Sequence, residues 1–246
     1  MILEFLKLKQ KAPQNFSLLG TDMHSHLLPG IDDGAPDMET SLQLIRGMKN
    51  LGFRKLITTP HIINGLHSNT PAGILTKLQE VKEALAEAKI DIVLEAAAEY
   101  MVDDYFEQLL DENEALLSFG NNNILIETST VSAPENLESV IFKLMTKGYK
   151  PILAHPERYL YLSPFPDQVN NLKMRGCEFQ LNLLSLTGYY GQNVKDFALW
   201  LLKNKLIDYL GSDVHHENHI NRIQTFLEKG IFAPLLKQSN FQNSIL

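Results

Sequence analysis

Short β-rich runs recur along the chain, each followed by a longer stretch of helical periodicity, and this alternation limits the fold more than any other feature. The runs expected as strands cover residues 18–23, 55–59, 91–97, 123–127, 151–154, 177–181 and 207–210. Between them, Pro36 and Asp37 open a stretch in which Met38, Leu42, Leu44, Ile45, Met48 and Leu51 follow helical spacing, with Gly52 where a C-terminal cap belongs. Thr70 and Pro71 start a second helix that runs through Val81 and Leu85. Leu137, Val140, Ile141, Leu144 and Met145 line a third, and Phe197 to Leu202 belong to a fourth. Strands joined by crossover helices pair in parallel, and seven of them suffice to close a barrel or nearly so. No repeat, low-complexity tract or Pro/Gly-rich linker divides the sequence. One domain over residues 20–246 is therefore expected, behind an N-terminal leader of residues 1–19.

A charged constellation follows these strands. Asp22, His24 and His26 come after the first, His61 after the second, Glu99 after the third and Glu127 after the fourth. His155 follows the fifth, and Asp213 and His215 the seventh; only the sixth, followed by Asn182, lacks a His or carboxylate. In a parallel barrel these positions converge on the C-terminal rim, where such folds place their chemistry. His24 and His26 alternate on extended chain, so both can face one side and share an ion, and Asp213 and His215 repeat that spacing. A site of His and carboxylate without Cys suits Mn, Fe or Zn, with two or three ions, and a cation cluster of this kind serves in-line phosphoryl chemistry. Taken singly, each residue has a plainer role: an exposed HxH pair, a structural His155 bonded to a carbonyl. Glu99 and Glu127, however, follow apolar strands and would be costly if buried without a cation. Asp33, in the turn-prone Asp32-Asp33-Gly34, can reach back to the rim. Arg158 is either a phosphoryl-oxygen ligand or the partner of a rim carboxylate. His67, His216 and His219 are expected on solvated loops.

Composition narrows the partners. With 22 basic against 29 acidic residues the net charge is −7, which disfavours nucleic acid. The single cysteine, Cys177, excludes an internal disulfide and a thiolate zinc cage, reads as a small core residue, and points to a cytoplasmic protein. No window approaches the roughly 18–20 uncharged apolar residues of a membrane span. The opening MILEFLKLKQK has neither the core nor the cleavage site of a signal peptide, and is expected as a frayed leader or, less simply, a short helix resting on an acidic surface.

The segments DMHSHLLPGIDDGAPD, TTPHIING, AAAEYMVDDY, ILIET, PILAHPERY and GSDVHH, in that order from Asp22 to His215, resemble the PHP (polymerase and histidinol phosphatase) superfamily. The resemblance is greatest to its manganese-dependent bacterial protein-tyrosine phosphatases of capsular and exopolysaccharide loci. It implies a distorted seven-stranded (β/α)7 TIM-like barrel with a trinuclear site. The first ion would be held by His24, His26, Glu99 and Asp213, the second by Glu99, Glu127 and His155, the third by Asp33, His61 and His215. It further implies Mn²⁺ as the ion, hydrolysis of phosphotyrosine by in-line attack of an activated water, and Arg158 and Arg222 on the phosphoryl oxygens. Asp213 or a rim histidine would be available to protonate the leaving group. The implied substrate is the Tyr-rich tail of a membrane-associated bacterial tyrosine autokinase. The chain departs from the pattern at Ile62, Ile63 and Asn64, where some relatives are basic, and at Arg222, which matches only in shifted register. The competing readings are a histidinol-phosphate or other small-molecule phosphoesterase, a nuclease, and a noncatalytic scaffold that retains metal and binds the kinase.

Overall fold

A computed structural model describes the chain at residues 15–163, 165–230, 232 and 240–246. Residues 1–14 lie outside these, and with them most of the expected leader. Phe16 and Leu19, by contrast, are buried; Phe16 stacks on Phe53 with ring centroids 4.9 Å apart, and its N–H donates to the Leu51 carbonyl.

The strands are β1 (Thr21–Asp22), β2 (Lys55–Thr58), β3 (His61–Ile62), β4 (Val93–Ala96), β5 (Glu99–Met101), β6 (Asn123–Glu127), β7 (Lys150–Ala154), β8 (Glu178–Asn182) and β9 (Tyr209–Gly211). All pairings are parallel, in two sheets ordered β1-β2-β4 and β3-β5-β6-β7-β8-β9. The α/β class is as expected; a single closed seven-stranded ladder is not found among the described residues. The reason lies at Pro60, which has no N–H to donate and ends β2. Thr59-Pro60 and its neighbour Ala97-Ala98 lie outside the ladders, so that beyond the two expected strands, seen as β2 and β4, pairing resumes in β3 and β5. Bonds from Ala97 N to Thr58 O (2.9 Å) and from Glu99 N to Pro60 O (3.1 Å) carry the chain pair across the gap. On the far side, a bridge between Ser25 and Val214 joins the continuation of β1 to that of β9.

The helices are α1 (Met38–Asn50), α2 (Pro71–Glu87), α3 (Asp104–Asp111), α4 (Leu137–Thr146), α5 (Pro166–Met174), α6 (Leu183–Leu186), α7 (Gln192–Lys203) and α8 (Glu217–Glu228). Asp37 and Thr70 cap α1 and α2 by accepting from Thr40 N and Gly73 N, as their sequence positions suggest. The helices α3, α5 and α6, of 8, 9 and 4 residues, are too short for periodicity to reveal them. No helix among the described residues is long and apolar enough to cross a membrane. Most core residues lie between strands and helices, while Met23, Ile57, Ala97, Phe119, Leu125, Ile152, Ala154 and Tyr209 form a second cluster. Met23, Leu125 and Ala154 immediately precede, or alternate with, His24, Glu127 and His155, so this apolar group underlies the rim residues. Near the chain's end, Asn243 is fully buried; its amide donates to Thr21 O (3.0 Å) and Leu210 O (2.7 Å) and accepts from Leu210 N (2.9 Å).

Candidate metal centre

His24 and His26 stand on the extended segment after β1, both fully buried, with their Nε2 atoms 3.3 Å apart: the spacing does put them on one side. His61 opens β3 directly opposite Glu99 at the start of β5, and Glu127 ends β6. His155 and Asp213 follow β7 and β9 in left-handed backbone conformations (φ 33° and 51°), which non-glycine residues adopt at a cost of about 1–2 kcal/mol. That strain turns both side chains into the cluster.

Glu99 is the hub. Its Oε2 lies 3.1 Å from His24 Nε2, 3.4 Å from His26 Nε2 and 3.2 Å from His61 Nδ1, and its Oε1 lies 3.2 Å from His155 Nε2. Asp213 Oδ1 is 3.4 Å from His24 Nε2, His26 Nε2 and His215 Nδ1. Glu127 Oε1 is 2.9 Å from His61 Nδ1, and Asp33 Oδ1 is 3.5 Å and 3.3 Å from the Nε2 atoms of His61 and His215. Ligands bound to one cation at about 2.0–2.2 Å sit roughly 3.0–3.5 Å from each other, so these are the spacings of shared coordination shells. Four groups bring one donor atom from each member within 4.8 Å of all the others: His24, His26 and Asp213; His24, Glu99 and His155; His61, Glu99 and Glu127; and His26, Asp33, His61 and His215.

The donor set fits cations for a second reason. Both Glu99 oxygens, Glu127 Oε1 and His61 Nδ1 are buried without a hydrogen bond, although nitrogen and oxygen stand within reach. Their lone pairs converge on shared points instead of on each other's hydrogens, an arrangement that costs several kcal/mol unless positive charge occupies those points. Protonation answers the same need. Burial alone would depress His24, yet the carboxylates of Glu99 and Asp213 outweigh it and lift the imidazole to about 9. Burial would likewise raise Glu99 and Asp213, but the imidazoles around them hold both well below the usual carboxylate range. Asp213 is thus firmly anionic, which suits a ligand and not a proton donor to a leaving group.

An outer layer orients the imidazoles. Gln180 Oε1 lies 2.9 Å from His24 Nδ1 and accepts from His155 N at 3.3 Å, while Asp32 Oδ2 lies 2.8 Å from His26 Nδ1. With Nδ1–H donating outward, Nε2 is left as the inward lone pair. Sequence reasoning missed Gln180, although a polar residue between Phe179 and Leu181 in a strand is a legible sign of an inward role; Asp32 was read only as part of a turn. Asp22 takes no part in the cluster. It accepts from Ser212 N (2.8 Å) and Ser212 Oγ (2.9 Å), and burial raises its carboxyl to about 7.

Arg158 takes the second of its expected roles, as partner of a rim carboxylate: Nη1 donates to Asp213 Oδ2 at 3.0 Å, while the guanidinium, 26% exposed, lies 4.5 Å over the Tyr190 ring. Asn182 Nδ2 donates to the same Asp213 oxygen (2.8 Å) and to Tyr190 Oη (3.3 Å). Arg222 is not brought to the cluster; it lies on α8 and donates to Thr187 Oγ1 and Thr187 O. Its distance along the helix from His215 explains why the shifted register fails. His219, expected in solvent, is buried on α8 and accepts from His215 N at 3.3 Å. His216 is exposed as expected, and His67 stacks face to face with His61, centroids 5.5 Å apart.

Comparison with known proteins agrees with this geometry. Residues 20–229 match the family described as capsular polysaccharide synthesis, CpsB/CapC. The tyrosine-protein phosphatase YwqE of Bacillus subtilis is 32% identical over 79% of this chain and 77% of its own length. The tyrosine-protein phosphatase CpsB of Streptococcus pneumoniae is 27% identical over 79% of this chain and 82% of its own. Among solved structures, a chain from the crystallographic work on YwqE and CpsB, described there as metal-dependent tyrosine phosphatases, superposes with a TM-score of 0.76 at 28% identity, covering 90% of this chain and 96% of that one. The chain belongs to the CpsB/CapC family of capsular polysaccharide synthesis.

Proposed function

We propose that this protein is a metal-dependent protein-tyrosine phosphatase of PHP type. The observation that carries the reading is the convergence of orphaned, buried carboxylate and imidazole donors beneath an exposed guanidinium, in a chain whose relatives bear that name. His24, His26, Glu99 and Asp213 would hold one ion, Glu99, Glu127 and His155 a second, and Asp33, His61 and His215 a third. The spacings support the third set and the His24, His26 and Asp213 part of the first, while around Glu99 the close groups are His24, Glu99 and His155, and His61, Glu99 and Glu127; the nitrogen and carboxylate set suits Mn²⁺, with Fe or Zn as alternatives. Such ions, when bound, lower the pKa of water to the neutral range and neutralise phosphoryl oxygens.

The chain's own residues supply the rest. Arg158 presents unspent guanidinium hydrogens to a phosphoryl oxygen, steered by Asp213 and the Tyr190 face. A departing tyrosine is a phenol of pKa about 10, so it needs less acid assistance than an alkyl alcohol. The strands make the wall of a distorted seven-stranded barrel, a reading supported by the bonds across the Pro60 gap and the Ser25–Val214 bridge. The substrate is a phosphotyrosine protein, the Tyr-rich tail of a membrane-associated tyrosine kinase that controls capsular or exopolysaccharide synthesis, and the reaction takes place in the cytoplasm. Residues 20–246 form its one catalytic domain.

The test is phosphate release from a phosphotyrosine peptide, a phosphoserine peptide and histidinol phosphate, each with Mn²⁺, with EDTA, and with His155→Ala. Manganese-dependent turnover that favours phosphotyrosine and is lost with EDTA and with the variant is expected. Preference for histidinol phosphate overturns the substrate; no turnover with Mn²⁺ bound favours a scaffold.

A further inference from the structure

Away from the metal centre, α7 and α8 enclose a cavity of about 210 Å³ lined by Thr187, Lys195, Arg222, Thr225, Phe226 and Lys229. Three of the six are cations and none is acidic. Among the described residues Lys195, Arg222 and Lys229 have no carboxylate partner, as is true of most other lysines and arginines; what sets these three apart is that they share one hollow. The nearest acids of the same two helices are engaged elsewhere, Asp196 by Gln192 (2.7 Å) and Glu228 by Gln224 (3.0 Å). Arg222 is held in place from behind: Nε donates to Thr187 Oγ1 at 3.3 Å and Nη2 to Thr187 O at 3.0 Å, leaving the other hydrogens of its five for a ligand. In a chain of net charge −7, three unpaired cations gathered in one hollow mark a site for an oxyanion, and a rigid guanidinium fork with hydroxyls beside it matches a phosphoryl group.

Both walls of the cavity lead to the metal centre. Thr187 ends the short segment that begins at Asn182, itself bonded to Asp213, and α8 begins immediately after His215 and His216. Arg222 is five residues beyond Glu217, about 7–8 Å along the helix axis. Three or four residues of extended peptide cover about 10–14 Å.

We propose that this cavity anchors a second phosphoryl group of the same peptide substrate, a phosphotyrosine three or four residues from the one being hydrolysed. The proposal rests on the tyrosine-phosphatase reading. It is tested with the Mn²⁺-loaded full chain and two peptides, one with a single phosphotyrosine and one with a second at that spacing. Initial rates are measured on these, and calorimetric binding on counterparts in which hydrolysis-resistant phosphonates replace the phosphates. The doubly modified peptide is expected to show KM and Kd about tenfold lower, through the local concentration that tethering supplies. The double variant Lys195→Ala, Lys229→Ala, which alters partly or fully exposed side chains, should reduce that advantage to near unity. Equal behaviour of the two peptides with the unaltered protein, or an advantage that survives in the double variant, overturns the proposal. Failure of the phosphatase reading appears separately, as absent turnover of both peptides, while the phosphonate pair still reports on the cavity.

Discussion

Gln180→Leu isolates the contribution of a residue that touches no ion. The Gln180 oxygen lies 2.9 Å from His24 Nδ1 and receives the His155 N–H at 3.3 Å. Without it, nothing fixes the His24 proton on the outward nitrogen, and the tautomer that points N–H at Glu99 becomes accessible. Losing such an outer partner typically lowers metal affinity about 10–100-fold, which is about 1.4–2.7 kcal/mol. Folding of the stripped protein should also respond. Gln180 Nε2 is itself buried without an acceptor, so leucine removes one orphan while creating two, at His24 Nδ1 and at the His155 N–H, a net cost of about 1–3 kcal/mol. Gln180→Glu keeps an acceptor in place and should retain Mn²⁺. The assay is Mn²⁺ competition against a chelating dye, with denaturant melts of the EDTA-treated proteins alongside. Affinity in Gln180→Leu within about twofold of the parent protein, or an equal loss of affinity in Gln180→Glu, would refute the reasoning.

Other outcomes follow from the same geometry. Arg158→Ala should lower kcat/KM on a phosphotyrosine peptide about 10²-fold, and Arg158→Lys should recover little of it, because an ammonium cannot serve Asp213 and a phosphoryl oxygen together; steady-state kinetics of both variants decides this. Metal-stripped protein should lose stability as pH rises from about 6.5 to about 9. His24 is raised from 6.5 to about 9 in the folded state, so its contribution is fully present below the lower value and gone above the upper. Urea melts across that range with EDTA, repeated with Mn²⁺, should show the loss in the first series only. In Gly211→Ala, the new Cβ would meet Gln180 Nε2 at 2.6 Å and His24 Cβ at 2.8 Å; a stability loss of about 1–3 kcal/mol with weakened Mn²⁺ binding is expected from thermal melts and the dye assay.

The residues that bear charge at strand ends were readable because a parallel sheet maps chain order onto position: one rule about strand ends places His24, His61, Glu99, Glu127, His155 and Asp213 together. What escaped was whatever depends on three-dimensional context. Pro60 marked a boundary within the run TTPHI, yet only the neighbouring strand shows that Ala97 and Ala98 leave the ladder with it. Helix α8 went unread although Ile220, Ile223, Phe226 and Leu227 follow helical spacing; His219, on the same buried face, reads as solvent-loving until His215 N–H is found to need an acceptor. Arg222 was implied only by the resemblance, and only in shifted register; it lies on α8, with its guanidinium on Thr187. Gln180 could have been found by asking why an amide interrupts an apolar strand.

The bonds around Asn243 have a kinetic consequence. Asn243 donates to a carbonyl 222 residues earlier in the chain, and Ser212 donates to Asp22 across 190 residues. Closing loops of that length must precede any return from the contacts they permit, which makes this seam a late event in folding. His24 and His26 lie on one side of it and Asp213 and His215 on the other. During synthesis, therefore, a nascent chain can build most of its sheet, and the Glu99, Glu127 and His155 set with it, while still lacking Asp213 from the first set of donors and His215 from the third. Competence to hold all three ions should arrive only after residue 215 has left the ribosome.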